Sequence, residues 1–97
     1  MDPWTFICRV MDSACFDTHE KLLLSVIGSD ADQNGDVPWL GTEHLMSGTR
    51  MRRGTVNRVI DLMVRKCVIP QPPREVGGQW LNLRAAIVPL DFSGFRT

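Results

Sequence analysis

The chain has 97 residues and equal numbers of acidic and basic side chains, so its formal net charge is zero. This length allows one domain with a modest hydrophobic core and leaves no room for a second. The hydrophobic fraction of 43% and the charged fraction of 23% are typical of a globular protein. There is no charged-then-apolar leader and no apolar run of the roughly 18 residues that span a bilayer. The sequence therefore favours a cytoplasmic protein without a membrane partner.

The charged side chains are segregated along the chain. Residues 1–49 contain eight acids and two bases, whereas residues 50–84 contain eight bases and two acids. The first segment therefore carries a formal charge of 2 − 8 = −6, and the second carries 8 − 2 = +6. A basic segment on an otherwise acidic body indicates a polyanionic partner.

The three cysteines, Cys8, Cys15 and Cys67, have no paired spacing. A structural zinc site usually brings close C-x-x-C pairs, so no metal site is predicted. We expect buried thiols in a reducing compartment.

The N-terminal third predicts two helices. Asp2-Pro3 supplies an acceptor at the cap and proline at the first helical position, and apolar residues at helical spacing extend this helix to about residue 14. Residues 17–20, DTHE, have the form of a capping box and start a second helix that ends near Asp32. This second helix should form the centre of the core through Leu22, Leu23, Val26 and Ile27.

The central segment predicts a helix-turn-helix. A turn and a short edge strand over residues 32–39 come first. Thr42 is then expected to cap a short helix over residues 43–47, which Gly48 ends. A polar, basic link leads into a long helix over residues 53–66. A short helix, a tight turn and a longer basic helix are typical of a helix-turn-helix.

The long helix is amphipathic. Its apolar stripe recurs at i, i+4, i+7 and i+11 and consists of Val56, Ile60, Met63 and Cys67. Residues 50–66 hold six bases against one acid. On the opposite face, Arg58, Asp61 and Arg65 follow three- and four-residue spacing. This pattern predicts a core behind the helix and an anionic partner in front of it. The alternative is an ordinary solvated helix whose Asp61 bridges the two arginines.

The period of the sequence changes after Lys66. Residues 68–69 predict a strand, residues 71–78 a loop with a glycine turn, and residues 79–84 an alternating strand. Two strands joined by a glycine-rich turn directly after the basic helix predict a wing. The tail, residues 85–97, is rich in apolar side chains, so it either folds back on the domain or covers a partner.

The run from Lys21 to Leu83 resembles the winged helix-turn-helix domains of phage and plasmid replication initiators and of small bacterial regulators. The resemblance rests on an ordered set of segments: residues 21–24 (KLLL), 31–35 (ADQNG), 38–39 (PW), Leu45, 51–58 (MRRGTVNR) and 68–69 (VI). Three positions depart from the pattern. Arg50 and Cys67 stand where the family usually has glycine, and Arg52 stands where the helix cap is usually serine.

The resemblance implies an α+β, mainly α fold. This fold would be one winged helix-turn-helix domain over residues 1–97, with an extra N-terminal helix (1–16), a winged core (17–84) with a two- to three-stranded wing sheet, and a C-terminal tail (85–97). It also implies sequence-specific binding of double-stranded DNA by a phage- or plasmid-type regulator of transcription or replication. Because no further domain accompanies it, a stand-alone regulator or accessory protein is favoured.

The DNA-binding residues predicted from the resemblance and from residue chemistry are Arg50, Arg52, Arg53, Thr55, Asn57, Arg58, Arg65, Lys66 and Arg74. Arginine is the usual bidentate reader of guanine and asparagine of adenine, so Arg53, Asn57 and Arg58 are expected on base edges. Arg65, Lys66, Arg74 and also Arg84 are expected on phosphates, which position a protein without specifying sequence.

An enzyme and a cofactor are not expected, because the sequence contains no nucleophile–base arrangement and no phosphate-binding loop. The main alternative function is a winged protein-interaction module that presents its acidic half or its apolar tail. We also expect a homodimer, since one such domain covers only about one DNA half-site. Trp4, Phe6 and Ile7 of the first helix, together with the tail, are the predicted interface.

Overall fold

The computed structural model of the protein describes residues 3–14 and 16–83. In this part of the chain the elements are α1 Pro3–Asp12, α2 Thr18–Ser29, β1 Asp36–Pro38, α3 Thr42–Thr49, α4 Arg53–Arg65 and β2 Gln79–Asn82. The prediction of a mainly helical α+β fold is confirmed at this level. The predictions for the tail, residues 85–97, and for Arg84 and Cys15 lie outside the described residues.

α1 packs on α2 and buries Phe6 and Val10 completely. The contact is close, because a Cβ atom at Gly28 of α2 would lie 3.0 Å from the side chains of both Phe6 and Ile7. Phe6 is therefore part of the protein's own core, and its predicted place in a subunit interface is wrong. Trp4 points the other way and is 72% exposed.

α2 begins with the predicted capping box. The Asp17 carboxylate accepts a hydrogen bond from the Glu20 N–H at 2.8 Å, and the Glu20 carboxylate accepts one from the Asp17 N–H at 2.9 Å. The helix ends at Ser29, three residues before the predicted end near Asp32. It stops there because the Asp32 carboxylate accepts the N–H groups of Asn34 and Asp36 and builds the following turn.

The two described strands form an antiparallel sheet in which Val37 lies opposite Leu81. The predicted strand over residues 68–69 is wrong: these residues form a bend, and both side chains are buried. β2 therefore pairs with β1, across the helix-turn-helix segment, and not with its neighbour in the chain. Residues 71–78 form a loop, as predicted. Gly77 and Gly78 of this loop extend the pairing through backbone hydrogen bonds of 2.8 Å with Trp39.

α3 is longer than predicted at both ends. Gly41, with φ 96°, occupies its N-cap without a side-chain cap, so the predicted capping role of Thr42 is wrong. Gly48 lies inside the helix and does not end it. A Cβ atom at this position would lie 2.8 Å from Cγ1 of Val26, so glycine is required for α3 to approach α2. Gly48, which was expected to end the helix, therefore serves to let α3 pack closely on α2.

The core lies between the helices and the sheet. Every buried apolar side chain of the described residues belongs to one cluster, to which α2 contributes Leu23, Leu24 and Ile27. The prediction is confirmed for Leu23 and Ile27, but it is wrong for Leu22, which is 38% exposed, and Val26 is only half-buried. Trp39 and Trp80 close the sheet side with an edge-to-face contact of 4.8 Å between ring centroids. Within residues 3–14 and 16–83 no helix has the length and apolar character that crossing a bilayer requires.

Candidate nucleic-acid interface

α4 has one buried and one exposed face. The buried face, turned to the core, consists of Val56, Val59, Ile60 and Met63. The exposed face consists of Gly54, Asn57, Arg58, Asp61 and Arg65. Gly54, Arg58, Asp61 and Arg65 fall on one line along the helix by their spacing. The predicted division of the helix into a core face and a polar face is confirmed, except that Cys67 does not continue the buried stripe.

Cys67 is exposed because the chain leaves the helix at Lys66 and turns at Cys67 with φ 61°. The expectation of a buried thiol is therefore wrong for this residue. Cys8, in α1, is half-buried.

The turn between α3 and α4 is built by Thr49 and Arg50. The buried Thr49 hydroxyl donates to the Leu45 carbonyl at 2.6 Å and accepts from the Met51 N–H at 3.2 Å. Arg50 adopts a left-handed conformation, with φ 62°, and its N–H donates to the Met46 carbonyl at 2.8 Å. This backbone turn sets the start of α4 beside α3 and leaves the Arg50 side chain exposed.

The first turn of α4 carries Arg52, Arg53 and Thr55. Arg52 is the N-cap residue, extended in φ and ψ, and its side chain makes no capping hydrogen bond. Its exposure leaves the guanidinium available to a ligand. Thr55 is half-buried at the side of the helix. Arg53 forms an exposed ion pair with Glu43 of α3, with 3.0 Å between Nη2 and Oε1.

Most of the predicted DNA-binding arginines have no partner within the described part of the protein. Their guanidinium groups make neither a hydrogen bond nor an ion pair there, and they belong to Arg50, Arg52, Arg58, Arg65 and Arg74. Asp61 likewise bridges neither Arg58 nor Arg65. The positive charge of this surface is therefore not neutralised by pairing inside residues 16–83.

Lys66 differs from these arginines. Its ammonium donates to the Glu20 carboxylate at 2.9 Å and lies 5.5 Å from the centroid of the Phe16 ring. Glu20 is buried and also closes the capping box of α2. The Lys66 charge therefore connects the end of α4 to the start of α2, and it points toward the body of the protein.

Arg74 lies in the loop before β2, as predicted, and shares an open cleft of about 360 Å³ with Arg53. The cleft is bounded by the start of α3, the start of α4 and this loop, and its lining also includes Glu43 and Val76. The fold thus brings together two arginines that lie 21 positions apart in the sequence. Neither the pairing of β2 with β1 nor this proximity follows from local sequence patterns.

The contacts of Glu20, Glu43 and Thr49 in this region are not predicted from the sequence. The capping box identifies Glu20 as a capping residue, but its partner Lys66 is 46 positions away. Glu43 lies in the predicted short helix, where no local pattern pairs it with Arg53. Thr49 gave a usable signal, since a hydroxyl residue just before a tight turn often bonds to nearby backbone groups.

Among the described residues no group of three or more His, Cys, Asp or Glu side chains is placed to hold a metal ion. Comparison with protein-family models, with curated proteins and with solved structures finds no match in any of the three. The geometry and chemistry of the α4 surface are therefore the basis on which a function is assigned.

Proposed function

We propose that the protein binds double-stranded DNA in a sequence-specific manner, with α4 in the major groove. The observation that carries this proposal is the exposed face of α4 and its flanks. It presents arginines that have no partner in the described part of the protein, on a helix whose opposite face is fully packed. Unneutralised arginines on the exposed face of a packed helix suit an anionic double helix.

The order of elements supports the winged helix-turn-helix interpretation. A core helix, a short strand with a tryptophan after it, a short helix, a long basic helix, a loop and a strand follow one another. This is the order that the resemblance implies, except that residues 68–69 form a bend and not the first strand of a wing. The two non-glycine residues with positive φ among the described residues are Arg50 and Cys67. These are the two positions where the family pattern has glycine, which suits a left-handed backbone at both.

The residues of the α4 surface are proposed to make two kinds of contact with DNA. Asn57 and Arg58 lie at the centre of the exposed face and are proposed to contact base edges. Arg50, Arg52 and Arg65 lie at its two ends and are proposed to contact phosphates. Lys66 is left out of this surface, because Glu20 and Phe16 hold its ammonium.

The biological role we propose is a small cytoplasmic regulator of transcription or replication of the phage or plasmid type, without a catalytic step. It is proposed to bind as a homodimer through α1. Trp4 and Met11 are 72% and 53% exposed in α1 and, seven positions apart, lie on one side of this helix. Light scattering at micromolar concentration is expected to give twice the monomer mass, and a monomer mass would remove the homodimer from the proposal.

The deciding experiment is selection of duplexes from a random pool, followed by fluorescence anisotropy with the selected and an unselected duplex at fixed salt. Binding to the selected duplex at least about 1,000-fold tighter than to the unselected one is expected for a specific reader. Equal affinity for both duplexes would leave only sequence-independent binding. No binding at low salt would remove the DNA proposal.

A second candidate function is a protein-interaction module. It is favoured by the same two exposed apolar residues, Trp4 and Met11, which lie in the acidic half of the chain and away from α4. Replacing both by serine separates the candidates. If the protein reads DNA through α4, the double variant keeps the wild-type affinity for a single DNA half-site. If it is an interaction module, the double variant loses its protein partner, and neither it nor the wild type binds DNA.

A further inference from the structure

The cleft between α3, α4 and the loop before β2 contains two arginines, which suit an anionic ligand, and one carboxylate, which is paired with one of them. Arg53 and Arg74 line the cleft, and the Glu43 carboxylate lies 3.0 Å from Nη2 of Arg53. Arg74 has no ion pair or hydrogen bond within the described residues. One arginine of the cleft is therefore occupied by an internal carboxylate, and the other is open.

We propose that this cleft binds a phosphodiester of the DNA backbone and that Glu43 is an internal competitor for it. The proposal rests on the proposed DNA-binding function and assigns to Arg53 a phosphate in place of the base edge expected from sequence. A carboxylate and a phosphodiester each offer two acceptor oxygens to the N–H groups of a guanidinium. The Glu43 carboxylate thus marks where a phosphate oxygen would bind.

The ion pair is suited to exchange because both partners are solvated. The side chains of Arg53 and Glu43 are 55% and 84% exposed. Exposed pairs of this kind contribute little to stability and are screened by salt. A phosphate can therefore displace Glu43 without opening the core. The Glu43 carboxylate has to leave Arg53 before a phosphate binds there, so Glu43 lowers the affinity for any duplex irrespective of sequence.

The position of Glu43 also explains why the competitor does not disturb the rest of the interface. Glu43 lies in the first turn of α3, where a negative side chain is favourable near the helix N-terminus. Asn57 and Arg58 lie further along α4 and make no hydrogen bond or ion pair with it within the described residues. The competition is thus confined to the cleft and leaves the centre of the α4 face open.

The test compares Glu43→Gln with Glu75→Gln, a matched change of the same charge. Glu75 is exposed, follows Arg74 in the loop and has no ion pair within the described residues. Affinity for an unselected duplex is measured between 50 and 300 mM salt by anisotropy. Glu43→Gln is expected to tighten binding by about three- to tenfold at the lowest salt. It should also steepen the slope of log affinity against log salt by about one unit, the value for one added phosphate contact.

A double-mutant cycle identifies the group that gains the phosphate. In an Arg53→Ala background, Glu43→Gln is expected to produce no more change than Glu75→Gln does. Circular dichroism and the melting temperature establish that each variant is folded.

The outcomes distinguish the competitor role of Glu43 from the proposed DNA-binding function. If Glu43→Gln and Glu75→Gln have equal effects, or if the gain persists without Arg53, the competitor role is overturned while DNA binding stands. If the folded wild type and all variants fail to bind duplex at 50 mM salt, the proposed function itself falls, and this inference with it.

Discussion

Arg65 and Lys66 follow each other at the end of α4 and have different surroundings. Lys66 pairs with the buried Glu20 on the side of the helix that faces the body, whereas Arg65 is exposed on the outer side without a partner in the described residues. The charge of Lys66 thus joins α4 to α2, whereas the charge of Arg65 is available to a ligand. The role of a basic residue here depends on what the rest of the fold places against it.

The largest expected effect concerns the body side. Lys66→Ala leaves the Glu20 carboxylate buried with only the Asp17 N–H as a hydrogen-bond donor among the described contacts. Breaking a buried ion pair from one side costs about 3–5 kcal/mol, and we expect about 3 because Lys66 is itself partly exposed. Chemical denaturation measures this loss in the free energy of unfolding.

Arg65→Ala is the control for this change, since it removes the same charge one residue earlier. Its free energy of unfolding is expected to stay within about 0.5 kcal/mol of the wild type, as for most surface substitutions. Its affinity for unselected DNA should fall, whereas folded Lys66→Ala should bind as the wild type does. The reverse pattern would mean that Lys66, and not Arg65, belongs to the DNA surface.

Gly48 and Gly54 allow a second comparison between a packed position and an exposed one. Gly48→Ala places a methyl group 2.8 Å from Val26, between α2 and α3, so we expect a loss of about 1–3 kcal/mol from overpacking. Gly54→Ala, on the outer face of α4, meets nothing within 4 Å and should stabilise the helix by about 0.4–1 kcal/mol. Thermal unfolding of both variants tests the pair. Equal shifts in the same direction would contradict the proposed packing role of Gly48.

Sequence patterns predicted several local features of this fold. The capping box of α2, the turn at Asp32 and the two faces of α4 depend on residues within a few positions of each other, and all three are present. The strand pairing was mispredicted because β2 finds its partner more than 40 positions away, in β1. A hairpin between residues 68–69 and β2 would join strands that are closer in the sequence, but the side chains of residues 68–69 are buried in the core.

The candidate site was predictable in part for the same reason. Helical spacing was sufficient to place Arg58, Asp61 and Arg65 on one exposed face. It could not show that Glu20 captures Lys66 or that Glu43 pairs with Arg53, because both contacts join different helices. Gly48 illustrates a different limit, since glycine at a helix end and glycine at a close helix contact have the same sequence signal.

The centre of the outer face is tested by Arg58→Ala. If Arg58 reads a base edge, its loss should cost about 1–3 kcal/mol on the selected duplex and much less on an unselected one. The two affinities are measured at the same salt concentration, because the electrostatic part varies with salt. Equal losses on both duplexes would reassign Arg58 to a phosphate and leave Asn57 as the proposed base reader.

The smallest expected effect comes from the loop before β2. Arg74→Ala should weaken binding to all duplexes by a similar factor and lower the slope of log affinity against log salt by about one unit. The reason is that Arg74 is exposed at the rim of the cleft and has no partner within residues 16–83, so its charge is free to displace a counterion from DNA. Lys21→Ala is the control, because the Lys21 ammonium donates to the Met11 carbonyl at the α1–α2 contact, in the acidic half of the chain. Removing that charge should leave the slope unchanged. A slope that is the same for wild type and Arg74→Ala would place the loop off the DNA and restrict the interface to α4 and the turn before it.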